Sequence, residues 1–203
     1  MLNHKRSCSD LIHVVIFLNL FLAFNCSLFG QTTTLPESKS RFINITEVSY
    51  SMGVGNVQLY TLEFENDDES FGFQTINGSL INEHLSLGIG LGYEKYNHIQ
   101  QLPLFLEARC YLTKNKSVKP VFVGDFGYAF GLGSESGGGI LLHPQVGLKV
   151  AVSEKVAYGV TVGLKFQQIE TTRTFYDEWG NYAGTYHEGV YYDFLSIKMG
   201  CYF

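Results

Sequence analysis

Eight stretches between residues 42 and 203 alternate apolar with small or polar residues at a period of two, and no other feature limits the fold as much. The last stretch, residues 190–203, is the sharpest. From Leu195 onward one parity reads Leu195, Ile197, Met199, Cys201 and Phe203, and the other reads Phe194, Ser196, Lys198, Gly200 and Tyr202. Residues 84–95 keep the same rhythm, with Leu85, Leu87, Ile89, Leu91 and Tyr93 set against His84, Ser86, Gly88, Gly90, Gly92 and Glu94. Successive side chains of a strand point to opposite faces, so each stretch predicts a strand with one apolar face. The other strands are expected at residues 42–54, 71–80, 102–112, 119–131, 142–152 and 156–166, the second of them broken near Asn77-Gly78.

The spacing between strands carries the next inference. Short turns near residues 82, 115 and 154 alternate with connections near 62, 99, 135 and 179, three of which are longer. Longer loops at one end only, on an even number of antiparallel strands of about 10–13 residues, are the pattern of a transmembrane barrel. Closure also removes exposed sheet edges. The composition agrees: 22 glycines, 15% aromatics, only 16% charged residues and four prolines suit a β-rich or membrane-associated chain. Eight strands enclose a lumen just wide enough for side chains. The Gly, Ala and Ser face with its few charges therefore belongs inside, and the Leu, Val, Ile, Phe and Tyr face belongs against lipid.

The first thirty residues read as a targeting segment. A basic start (His4, Lys5, Arg6) precedes an apolar run at residues 11–24, too short to span a bilayer as a helix but suited to a signal peptide. Cleavage is expected after Gly30 and not lipidation at Cys26, because Ala23-Phe24-Asn25 lacks small residues before the cysteine. Residues 31–41 form a polar leader, and residues 42–203 form the barrel. The mature chain holds 12 basic and 18 acidic residues, a formal charge of −6, which argues against nucleic acid as a partner. Cys110 and Cys201, the cysteines that remain, are expected to stay unpaired on opposite sides of the barrel.

With these residues in view, the chain resembles the small eight-stranded outer-membrane barrels of Gram-negative bacteria, the OmpX/OmpA-like class. Segments 42–55, 73–81, 84–96 and 102–112 are similar to an uncharacterised barrel family of Bacteroidota. The resemblance covers about residues 42–203. It implies an outer-membrane location, with Phe203 serving as the signal read by the barrel assembly machinery. It implies no catalytic residues.

Inward-facing charges are the strongest candidate constellation. Glu47 and Lys198 lie at similar depth on the first and last strands, which closure makes neighbours, so they are expected to pair. Glu107, Arg109, Asp125 and Lys149 complete a set of three acids and three bases in the lower lumen. Buried charges must be paired or hydrated, so a plug that fixes the register is expected, with a gated pore as the alternative. Asp193 shares the lipid-facing parity but falls near the outer rim, where a charge costs little.

Other motifs carry less. His84, Ser86 and Glu94 hold the residue types of a hydrolytic triad, but Glu94 is expected near the rim opposite to the other two. Glu65, Asp67, Asp68 and Glu69 lack the alternating oxygens and glycine of a calcium loop, and read as a solvated or lipopolysaccharide-bridging cluster. The loop around Trp179, the one tryptophan of the chain, is either a binding tip or an aromatic hairpin extension. Two sequons, Asn44-Ile45-Thr46 and Asn77-Gly78-Ser79, fall in strands and are taken as incidental. The expected protein is an all-β, eight-stranded, up-and-down antiparallel barrel that follows a cleaved signal peptide. It is expected to be a monomer, without catalysis, cofactor or bound metal. Its partners would be outer-membrane lipid, lipopolysaccharide and a surface ligand held by the loops. A narrow channel for small solutes is the first alternative and a lipid-modifying enzyme the second.

Overall fold

A computed structural model describes residues 41–59, 62–96, 99–113, 117–133, 137–153, 156–176, 179 and 182–203. The expected signal peptide and leader lie outside the described residues, apart from Arg41. Ten strands follow in order: β1 (Arg41–Gly53), β2 (Asn56–Leu59), β3 (Leu62–Glu65), β4 (Glu69–Asn82), β5 (Leu85–Tyr96), β6 (Ile99–Tyr111), β7 (Val118–Gly131), β8 (Gly139–Ala151), β9 (Ala157–Tyr176) and β10 (Tyr182–Tyr202). Eight of these close into one barrel in the order β1, β10, β9, β8, β7, β6, β5, β4, each antiparallel to its neighbours. The remaining two, β2 and β3, form a separate hairpin.

Closure runs through the sharpest sequence feature. In β1, Ile45 stands opposite Tyr202 of β10 and the register continues without interruption to Gly53 opposite Phe194. Asn44 and Phe203 exchange backbone hydrogen bonds of 3.1 and 2.8 Å, so the C-terminal residue is held at the seam. The other edge of β1 pairs with β4 from Arg41 opposite Leu80 to Met52 opposite Glu69.

Parity assigns the faces as expected. Glu47, Arg109, Asp125, Lys198 and Tyr202 are buried inside, whereas Val48, Leu106, Phe126, Leu148, Val160 and Ile197 are exposed outside. This inverts the order of a soluble domain, in which charge faces out. An apolar outer wall around a polar lumen is the arrangement of a barrel that crosses a membrane.

Three details differ from the sequence reading. First, β4 runs unbroken through Asn77 and Gly78, which stand opposite Ile89 and Gly88. A Cβ on Gly78 would lie 2.4 Å from the Leu87 carbonyl oxygen, so this glycine serves a close strand approach and not a turn. Second, the connection through the acidic run contains β2 and β3, and Asn66 folds it back by donating to the Asp193 carbonyl at 2.7 Å. Third, residues 169–189, read as a connection, are mostly strand: β9 and β10 reach 20 and 21 residues and stay paired up to Tyr176 and Tyr182. Trp179, between the two strands of this ribbon, is 86% exposed.

The lumen is filled as tightly as the strand count requires. Gly90 of β5 makes room for Phe105 of β6, and a Cβ there would come within 2.2 Å of the Phe105 ring. We expect Gly90→Ala to destabilise the barrel by about 1–3 kcal/mol through overpacking. A lowered urea midpoint in lipid vesicles, largely restored when Phe105→Leu is added, is the expected result.

Candidate functional site

Alternation drives every second side chain inward, and the lumen collects these groups into three tiers. In the lower tier Arg109 of β6 crosses from wall to wall. Its Nε donates to Glu107 Oε1 at 2.6 Å, and its Nη2 donates to Glu107 Oε2 at 2.7 Å and to Glu47 Oε1 at 2.5 Å. Its Nη1 donates to the Tyr202 hydroxyl oxygen, and the guanidinium carbon lies 5.1 Å from the Tyr202 ring centroid. Gln74 of β4 donates to the other oxygen of Glu47 at 2.7 Å. A planar guanidinium suits this task because its donors form a rigid fork that matches carboxylate oxygens. Lys149 lies beside this tier, half-buried, with its ammonium 4.5 Å from the Tyr202 ring and 5.1 Å from the Tyr111 ring.

In the middle tier Asp125 of β7 receives two donors on one oxygen, Lys198 Nζ at 2.7 Å and Gln145 Nε2 at 2.8 Å. Thr161 braces Gln145 by donating to its side-chain oxygen at 2.8 Å. His143 Nε2 lies 2.5 Å from Ser196 Oγ, and its Nδ1 lies 3.6 Å from Asp125 Oδ2. In the upper tier Lys165 of β9 pairs with Glu94 of β5, and Ser70 donates to the same carboxylate at 2.8 Å. Lys165 is also 4.5 Å from the ring centroid of Phe194, which is fully buried.

A cavity of about 20 Å³ remains between the middle and upper tiers, lined in part by Ser51, Asp125, His143, Lys165 and Lys198. That is room for about one water. The second carboxylate oxygen of Asp125 is buried and has no hydrogen-bond partner among the described residues.

The structure brings Glu47, Glu107, Arg109, Asp125 and Lys198 into the lumen together, and places Lys149 at their lower margin. The expected Glu47–Lys198 pair is not the contact formed. Both side chains point inward, but Glu47 stands opposite Gly200 and Lys198 opposite Ser49, one inward position apart. Glu47 instead takes Arg109 and Gln74, and Lys198 takes Asp125. Sequence reasoning missed Lys165 as the partner of Glu94, and missed His143, Gln74, Gln145 and Tyr202 as members of the network. Inward parity flags all of them, but no local spacing joins residues that meet only across the lumen.

The remaining candidates stay apart from the lumen. Glu65, Asp67 and Glu69 are exposed along the acidic run, and Asp68 is half-buried with its carbonyl accepting from the Gly53 amide at 2.7 Å. Burial, and then the neighbouring Asp67 charge, push the Asp68 carboxyl above its usual range. His84, Ser86 and Glu94 do not converge: His84 Nδ1 lies 2.7 Å from the Tyr111 carbonyl oxygen, and Glu94 is held by Lys165 and Ser70. Ser196, His143 and Asp125 stand in the order of a hydrolytic triad. However, 3.6 Å is too long for the histidine–carboxylate hydrogen bond, and all three are buried where about one water fits. Cys201 is free, whereas Cys110 is disulfide-bonded, which corrects the expectation that both are unpaired. Its partner is therefore not Cys201.

No family model matches the chain, and no curated protein matches its sequence. Among solved structures, it is similar to Neisserial surface protein A at a TM-score of 0.51 and 15% identity, over 78% of this chain and 95% of that one. The outer-membrane protein OprG from Pseudomonas aeruginosa aligns at a TM-score of 0.49 and 13% identity, over 80% and 95% of the two chains. The outer-membrane protein AlkL, solved in lipid bilayers, aligns at 0.49 and 9% identity, over 85% and 93%. At 15% identity the likeness to Neisserial surface protein A extends to the fold, a closed antiparallel barrel.

Proposed function

We propose that the chain is a non-enzymatic outer-membrane barrel with a plugged lumen, serving envelope structure or surface interaction through its extracellular hairpins. The observation that carries this reading is the three-tier network of ion pairs and hydrogen bonds inside an apolar outer wall. Each tier spans the lumen from different strands, so the charges fill space and tie the wall together. The finer kinship, with OmpX/OmpA-like barrels and the Bacteroidota family, belongs to this proposal. So do the partners: lipid and lipopolysaccharide around the wall, the assembly machinery at Phe203, and a surface ligand at the β9–β10 ribbon.

In planar bilayers the purified, folded protein is expected to give no conductance steps above background. Discrete steps would overturn the plug in favour of a narrow channel. The channel reading draws on one specific observation, the small cavity lined in part by Asp125, one of whose oxygens has no hydrogen-bond partner among the described residues. Unchanged lipid A masses in cells with and without the protein are expected, and a shifted mass would point to a lipid-modifying activity.

A further inference from the structure

The two sequons set aside as incidental meet on the outer wall. Asn44 of β1 stands opposite Asn77 of β4, and Thr46 stands opposite Thr75. Strand parity points these four residues and Ser79 outward, the same way as Val48 and Phe73, and together they form one contiguous polar patch. It lies toward the lower end of the wall, where Asn44 pairs with Phe203, and exposed apolar side chains flank it along both strands. Phe42 and Ile81 bracket it below, at 70% and 48% exposure, and Val48 and Phe73 bracket it above, both at 54%. On the adjoining strand β5, Asn77 faces Ile89 and Thr75 faces Leu91, both of them open to the outside. Asn44 Nδ2 donates to Asn77 Oδ1 at 2.8 Å and to Thr75 Oγ1 at 3.3 Å. Asn77 Nδ2 and Asn44 Oδ1 make no hydrogen bond among the described residues. Lipid tails provide neither a donor nor an acceptor for them.

We propose that this patch is the contact between two copies of the chain within the membrane. An asparagine carries both donors and acceptors. The same patch on a two-fold-related copy is therefore its own complement, with Asn77 N–H of each copy meeting Asn44 Oδ1 of the other. Polar side chains that bond across packed transmembrane segments work in the same way. Free Cys201, opposite Thr46, marks the margin of the contact on β10. The protein is then a dimer and not the monomer expected from its sequence, and this inference rests on the membrane-barrel reading.

The test is the state of association in lipid vesicles at high lipid excess. Single-molecule photobleaching is expected to give two steps for the wild type. Asn44→Leu/Asn77→Leu, which suits lipid better, is expected to give one step, with association weakened by about tenfold or more. In a Cys201→Ser background, oxidation is expected to crosslink Ser79→Cys but not Val146→Cys, which lies on the opposite wall in β8. A vesicle-bound wild type that bleaches in one step would overturn the contact alone. So would a leucine variant that associates equally well, or equal crosslinking at the two cysteines. Protein released from the vesicles by alkaline washing would overturn the membrane reading, and this contact with it.

Discussion

Arg109→Met is expected to destabilise the barrel by about 3–5 kcal/mol, the cost of breaking a buried ion pair by removing one partner. The arginine is 1% exposed and reaches Glu47, Glu107 and Tyr202 on three strands. Without it, two carboxylates, 3% and 4% exposed, keep their charge with little to balance it. The lost volume is small, so the effect tests charge and not packing. Adding Glu47→Gln and Glu107→Gln to the methionine variant is expected to recover most of the loss, because neutral amides tolerate the site. Arg109→Lys should fall between, since an ammonium keeps the charge but loses the fork. Urea unfolding in lipid vesicles, followed by the shift in gel mobility between folded and unfolded barrel, measures the series. Trp179 fluorescence would report poorly, because that residue is exposed. Equal midpoints for the methionine variant and the wild type would show that the lower tier contributes nothing.

Strand positions and faces were legible in the sequence because a two-residue period follows from backbone geometry and needs no knowledge of the partner strand. Leu195, Ile197 and Met199 faced outward as their parity required, and Ser196 and Lys198 faced inward. The errors came where local chemistry has two uses. Asn77-Gly78 reads as a break in the strand, yet here glycine supplies clearance beneath Leu87 and the strand continues. The Thr, Tyr and Gly-rich residues 169–189 read as a connection, but Thr and Tyr also favour paired strands, and here they form a ribbon.

The site was legible only in part, because parity gives direction but not reach. It sent Glu47, Asp125 and Lys198 inward, and all three arrive in the lumen. It also suggested that neighbours on β1 and β10 would pair. A long side chain crosses an eight-stranded lumen, so the nearest partner in sequence order is not the nearest in space. Arg109, on β6, reaches Glu47 on β1 in this way. Lys165 and Glu94 lie on strands that share no ladder, which hid their pairing.

That distinction between direction and reach gives the second large effect. Asp125→Leu leaves Lys198, 4% exposed, without the carboxylate that holds it at 2.7 Å, and removes the acceptor of Gln145. A loss of about 3–5 kcal/mol is expected, again from an uncompensated buried charge. Lys198→Met alone should cost a similar amount by stranding Asp125. The double variant Asp125→Leu/Lys198→Met should lie close to the wild type, because a hydrophobic pair of similar volume is often neutral or stabilising in place of a buried ion pair. The coupling in this cycle separates the pair from its surroundings. Glu65→Gln on the exposed acidic run is the control, expected within about 0.5 kcal/mol of the wild type. Salt discriminates further. Raising it from about 0.1 to 1 M shortens the Debye length from ~10 to ~3 Å, which screens exposed charges far more than buried ones. The Asp125–Lys198 coupling is therefore expected to persist at high salt. A coupling that vanished there would mean that water fills the lumen around this pair, and the lumen would then be a channel and not a plug.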